Sequence, residues 1–281
     1  MLLYLFIVIT VFLVLFFTLD RKKYEQTEYF KQTHNSYWSV RSDKGLYGEY
    51  CTYKYLKPLT GYKRFLFNCY LPKSNAEKTE VDVILIHESG IYVLESKNYS
   101  GWIFGTETKP YWTQTLPGER GRSKKTRFLN PIIQNKVHLK WLKEFLQEDS
   151  IAFHSYIVFS DRCTLKDIHL TSQEHHVINR YNILSDITYM AQVMGSPLTP
   201  RKIEKLYDKL FPLTQSEASE KLLHVETINK KYHSISDSST DEICPWCGNK
   251  LILRTATKGV HAGQKFWGCS NFPKCRYSKK Q

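Results

Sequence analysis

Two short apolar runs around a four-residue break constrain this chain more than any other feature. Val81-Asp82-Val83-Ile84-Leu85-Ile86 and Ile91-Tyr92-Val93-Leu94-Glu95-Ser96-Lys97 flank His87-Glu88-Ser89-Gly90. β-Branched runs about a glycine-containing turn predict a β-hairpin. Closure on Glu88-Ser89 sets Ile86 opposite Ile91, Ile84 opposite Val93 and Asp82 opposite Glu95. Alternation brings Lys97 onto that same face. Two opposed carboxylates on an apolar face repel each other and weaken the strand pair. A divalent cation between them removes the conflict, and an adjacent ammonium can hold a water, which is the arrangement of metal-assisted phosphodiester hydrolysis. Acid-x-Lys triplets also occur at Asp20-Arg21-Lys22 and Glu107-Thr108-Lys109. What sets this one apart is a buried-type strand with a second acid at the facing position.

Charge is distributed unevenly. The chain carries 40 Lys/Arg against 27 Asp/Glu, a formal +13. Residues 24–242 hold 29 basic and 26 acidic residues, whereas 243–281 hold 8 basic residues and no acid. The positive charge therefore belongs to the ends, and a basic tail beside a near-neutral domain points to polyanion contact by the tail. Residues 1–19 are almost wholly apolar. As a helix they span about 28 Å, close to the hydrocarbon thickness of a bilayer. A cleaved signal peptide needs a basic start, a shorter apolar core and small residues at the cut; bulky residues instead run straight to Asp20. Arg21-Lys22-Lys23 follow at once, so the positive-inside rule keeps the C-terminal bulk in the cytoplasm. The expectation is a single-pass anchor (1–20) in the inner (cytoplasmic) membrane, then a polar connector (21–40).

Further along, the spacing predicts a helix from about Asp43 to Leu56, a strand at Phe65–Leu71 and, after the hairpin, a short strand pair at 102–104 and 111–114. Residues 117–127, with Arg120, Arg122, Lys124, Lys125 and Arg127, read as a basic loop. Asn130-Pro131 signals a helix start, and that helix reaches about Leu146. Strands near 152–159 and 176–178 and helices near 185–194 and 200–211 follow. Interleaved strands and helices imply an α/β core with a mixed sheet. A serine-rich linker closes this domain (213–242).

The ordered set Gly45-x-x-Gly48-Glu49, Glu80-Val81-Asp82, Gly90 to Tyr99, Gly101, Trp112 and Asn130-Pro131-x-x-Gln134-Asn135 resembles the NERD (nuclease-related) domain of the PD-(D/E)xK nuclease superfamily. The resemblance covers about residues 41–150 of a domain expected to span 41–212. It implies a restriction-endonuclease-like mixed sheet flanked by helices. It further implies Asp82 and Glu95 as ligands for Mg²⁺ or Mn²⁺, Lys97 beside the attacking water, Glu49 as an additional acid, and Gln134 ordering a water or touching a phosphate. His138, one turn after Gln134, reads as a structural residue.

Cys244-Pro-Trp-Cys247, Cys269 and Cys275 form a four-thiolate set within 243–281. Tetrahedral Zn²⁺ suits such ligands, and disulfides do not suit a cytoplasmic tail. Phe266-Trp267-Gly268-Cys269-Ser270-Asn271-Phe272-Pro273-Lys274-Cys275 looks like the C-terminal zinc finger of bacterial type I topoisomerases, a small zinc ribbon that in that family binds single-stranded DNA. Aromatics interleaved with Arg254, Lys265, Lys274 and Arg276 fit such a partner, although several must pack around the metal. Two functions stay open: a membrane-anchored Mg²⁺-dependent DNA nuclease, or an inactive membrane-tethered DNA-binding scaffold. Retention of Asp82, Glu95 and Lys97 together favours the nuclease.

Overall fold

The hairpin forms in the expected register. Strands β1 (Lys63–Pro72), β2 (Lys78–His87) and β3 (Gly90–Lys97) are antiparallel neighbours, and Ile84 faces Val93 and Ile86 faces Ile91 around Glu88-Ser89. Gly90 makes the turn possible. Its φ is 145°, and a Cβ there would lie 2.7 Å from the Ala152 carbonyl oxygen. Ser89 Oγ donates to His87 Nδ1 (2.8 Å) and accepts from Tyr92 OH (2.6 Å), buried hydrogen bonds that lock the loop. This computed structural model describes residues 1–74, 77–118, 122–215, 244, 251–256, 263–273 and 275–280.

Strands β7 (Phe153–Phe159) and β9 (His175–Asn179) extend the sheet in parallel, giving the mixed order β1-β2-β3-β7-β9. A second sheet, β6-β5-β4-β8, comprises β4 (Gly101–Thr106), β5 (Tyr111–Pro117), β6 (Ser123–Leu129) and β8 (Cys163–His169). Of the basic stretch read as a loop, 119–121, Arg120 among them, lie outside the described residues, while residues 123–127 belong to strand β6. Its flat, charged sequence gives no alternation signal, but β5 supplies a full ladder and Phe128 packs against Trp112 and Tyr99. Strand β8 had no sequence signal either; it forms because β4 offers a parallel edge.

Helices cover both faces of the main sheet. On one lie α2 (Glu28–Thr33), α3 (Tyr37–Ser42), α4 (Lys44–Leu56), α6 (Ile183–Met194) and the C-terminal end of α1 (Leu2–Glu25), clustered on Phe65, Phe67, Val83, Leu85, Tyr92 and Leu94. On the other, α5 (Pro131–Leu146) and α7 (Pro200–Leu210) pack on Leu66, Ile84, Ile86, Ile91 and Val93. Side-chain caps start these helices: Asp43 accepts from Leu46 N (2.9 Å) and Asn130 from Ile132 N (2.9 Å), with Pro131 at the first helical position. Residues 21–40, read as a connector, are mostly helical, and Tyr24, Tyr29, Tyr37 and Val40 are buried in the first layer. Their aromatic content, not their polarity, decides the outcome. Most of the expected linker lies outside the described residues.

Trp112 joins the two sheets: it is 1 % exposed and stacks on Phe159 of β7 at 6.0 Å. Trp112→Ala should cost about 3–5 kcal/mol, read from the midpoint of chemical denaturation of the full chain.

Candidate active site and metal-binding tail

Side-chain alternation resets where the acids lie. Phe67 and Val83, paired across β1 and β2, pack on the α4 layer, whereas the next recorded pair, Cys69 and Val81, packs on the α5 layer. Between them stand Asn68, in a left-handed conformation (φ 50°), and Asp82. The β2–β3 ladder stops at Val83 opposite Leu94. The expected Asp82–Glu95 pairing therefore ends one pair short of formation, because the Asp82 carboxylate itself takes the Ser96 N–H (2.8 Å). Splayed strand ends leave both acids beside each other without a complete ladder between them.

Glu95 is 1 % exposed and held from two sides. Lys97 Nζ lies 2.6 Å from its Oε1, and His138 Nε2 lies 3.1 Å from its Oε2. A carboxylate only accepts, so Nε2 carries a hydrogen, while Nδ1 meets Thr79 Oγ1 at 2.9 Å. Lys97 also donates to Gln134 Oε1 (3.1 Å). α5 thus brings Gln134 and His138, one turn apart, to the lysine and the glutamate respectively. The sequence reading treated His138 as structural. The signal for more was its position one turn beyond Gln134, but only a view of the β3 face it meets gives that spacing meaning.

Glu49 comes from the opposite layer. α4 approaches β3 closely because Gly48 has no side chain: a Cβ there would sit 3.1 Å from Ser96 Oγ and from Asn98 Cβ. Buried Glu49 accepts from Asn68 Nδ2 (3.1 Å) and Tyr29 OH (3.2 Å), and Asn68 Nδ2 also reaches Glu80 Oε1 (3.3 Å). The unusual Asn68 conformation thus turns its amide toward the acids.

The charges respond to one another. Desolvation, then Glu95 and Glu49, push Asp82 well above the ordinary carboxylate range. Burial and Glu80 raise Glu49 to about 8. Burial would also raise Glu95, but Lys97 and His138 outweigh it and hold that carboxyl at about 2. Burial disfavours the Lys97 ammonium, yet Glu95 and Asp82 more than compensate, and its pKa rises. The result is an ionised Glu95, a charged Lys97, and two acids, Asp82 and Glu49, biased toward their neutral forms.

In the tail, β10 (Leu251–Thr255), β11 (Lys265–Cys269) and β12 (Ser278–Lys280) form a three-stranded sheet. Ligand sulfurs of Cys244, Cys269 and Cys275, all buried, lie within 4.8 Å of one another, with Cys244 and Cys275 at 3.6 Å. Tetrahedral Zn–thiolate bonds of about 2.3 Å require sulfurs roughly 3.8 Å apart, so the cluster fits Zn²⁺ and is too open for a disulfide. Cys247 and Lys274 lie outside the described residues. Trp267 and Tyr277 pack around the thiols. Phe272, 56 % exposed, does not, and the Arg254 guanidinium lies 5.7 Å from its ring. Arg254 also donates to the Cys269 carbonyl (3.4 Å), while Lys265 and Arg276 are exposed.

Residues 44–160 match the family described as nuclease-related domain, and residues 241–281 match the topoisomerase DNA-binding C4 zinc finger. An uncharacterised protein of Bacillus anthracis is 31 % identical over 156 residues, which is 56 % of this chain and 69 % of that protein. The chain belongs to the nuclease-related domain family. DNA topoisomerase 1 of Methanocaldococcus jannaschii is 56 % identical over 39 residues, 14 % of this chain but only 4 % of that enzyme. That likeness concerns the finger alone. No solved structure matches the chain significantly. Together the two modules mark a DNA-binding, nuclease-like protein with zinc in its tail.

The raised carboxyls set a sign for stability. A carboxyl whose pKa is higher folded than unfolded favours the fold while protonated and opposes it once ionised. In magnesium-free buffer, the thermal midpoint should therefore fall as pH rises from about 4.3, the unfolded value, through the value of about 8 at Glu49. Asp82→Asn should flatten that fall. Glu95 acts oppositely: its contribution is present above about 4.3 and is lost toward about 2.

Proposed function

We propose that this protein is a membrane-anchored, Mg²⁺-dependent DNA nuclease whose zinc finger engages single-stranded DNA. One observation carries the reading: Glu95 and Lys97 lie 2.6 Å apart beside Asp82, whose carboxyl is raised by burial and then by Glu95 and Glu49. An acid pair that resists joint ionisation, next to a fixed ammonium, is a site suited to a hard cation bound through carboxylate oxygens. Asp82 and Glu95 would hold it, with Glu49 contributing through water. When bound, the cation supplies charge neutralisation and polarises the phosphodiester.

The chain's own groups do the rest. Lys97 stays protonated, so it does not take the proton of the attacking water; it orients that water and stabilises charge developing on the phosphoryl oxygens. Gln134 fixes the Lys97 amine from the other side. His138 fixes the rotamer of Glu95 and is in turn fixed by Thr79, as carboxylate ligands commonly are by an outer hydrogen bond. In the finger, exposed Phe272 beside the Arg254 guanidinium, with Lys265 and Arg276 exposed in the same module, offers a base-stacking surface accompanied by positive charge, which suits single strands of any sequence.

Among the described residues, one helix is long and apolar enough to cross a membrane, Tyr4–Glu25. The basic cluster directly after its apolar run favours a cytoplasmic domain at the inner membrane. Burial of Tyr24 in the domain favours a retained helix over a cleaved signal sequence.

Zinc-loaded full-length protein should cleave DNA with Mg²⁺ and not without it. Asp82→Ala should abolish cleavage, and Lys97→Ala should lower kcat by about 10²–10³-fold. Cleavage indifferent to both substitutions would reject the site, and none by the pure wild type would favour the inactive scaffold. His138→Ala should weaken Mg²⁺ binding by about 10–100-fold, read by metal titration of cleavage. In an Asp82→Ala background, single-stranded DNA binding should fall steeply with salt, and Arg276→Ala should make that log–log slope shallower.

A further inference from the structure

No slack chain joins the apolar helix to the α/β domain. α1 runs unbroken from Leu2 to Glu25, and its last turn belongs to the domain core. Tyr24 is 2 % exposed; its ring meets Tyr50 at 5.1 Å and Tyr37 at 5.8 Å, and its hydroxyl donates to the Asn35 carbonyl (2.6 Å). Asp20 accepts from Tyr37 OH (2.6 Å) and pairs with Arg41, a second joint between α1 and α3. Two turns before Tyr24, Phe17 packs on Trp38 of α3 at 5.7 Å. Phe17 belongs to the apolar run that ends at Leu19, so Trp38 is held at the depth where that run gives way to Arg21-Lys22-Lys23. Even so, Trp38 is 57 % exposed.

An indole left outside the fold, beside the end of a lipid-length apolar helix, has the placement that tryptophan adopts at a membrane–water boundary. We infer that α3 is a membrane-resting shoulder: Trp38 inserts at the headgroup–acyl boundary of an anionic lipid surface and, with the Tyr24 joint, holds the domain in one orientation. This rests on the membrane reading of α1. Lipid is favoured over a second copy or a soluble partner because the Trp38 surface adjoins the span itself, so any protein seated there would have to share the bilayer boundary. Exposed Lys22 and Lys23 complement anionic headgroups at the same level. Orientation passes directly to the candidate site, since α4, which carries Glu49, begins at Lys44, two residues after α3 ends at Ser42.

The test uses full-length, zinc-loaded protein in phosphatidylcholine–phosphatidylglycerol vesicles whose acyl chains are brominated near the headgroup or near the bilayer centre. The chain has six tryptophans, so shallow bromines should quench up to the share of one in six, and deep bromines less. Trp38→Phe, which keeps a ring against Phe17, should remove that quenching, and Trp38→Tyr should do the same if the fold holds. Equal quenching of wild type and both variants would overturn the inference. So would a Trp38 open to aqueous iodide, or one shielded from both iodide and bromolipid by a protein partner. Failure of the protein to float with vesicles would instead bring down the membrane reading on which it rests.

Discussion

The candidate site depends on how Glu95 is held. A buried carboxylate is costly unless it is paired and hydrogen-bonded, and Glu95 has a partner on each oxygen, Lys97 on one and His138 on the other. That double clamp keeps Glu95 ionised, and its fixed negative charge is in turn one of the causes that keep Asp82 from ionising alone. Asymmetry between two neighbouring acids is a familiar way to prepare a site for one cation or one proton. Here it follows from which layer each acid meets: α5 offers Glu95 a histidine, whereas Asp82 accepts the Ser96 backbone N–H and feels Lys97 through space.

Both helical layers converge on the same strand ends. α5 reaches the site through Gln134 and His138, and α4 reaches it from the other face through Glu49, made possible by the missing side chain at Gly48. Between them the β1–β2 pair resets its alternation at Asn68 and Asp82, so that Asn68 reaches Glu49 while Asp82 takes the Ser96 N–H. Irregular strand geometry is therefore part of the site's construction, as bulges beside active sites often are.

Local patterns were legible where the physics is local. The hairpin register follows from β-branched runs and a two-residue turn; Asn130-Pro131 marks the start of α5; and the cysteine spacing points to the thiol cluster. Strands β6 and β8 were not legible, because each is stabilised by a partner strand and not by its own composition. Residues 21–40 misled for the same reason: their tyrosines look like a polar connector until the surface that buries them is known.

The sequence alone thus determined which side chains are the candidates for chemistry, namely Asp82, Glu95, Lys97 and the cysteines, because residue type and short spacing carry that information. Only the tertiary structure decided how they are tuned. It placed His138 on Glu95, Gln134 on Lys97, Glu49 near Asp82 and Tyr24 inside the domain, since each of these contacts joins segments separated by more than a strand's length along the chain. Periodicity reports one element at a time, whereas pKa and orientation are set by what the neighbouring element presents.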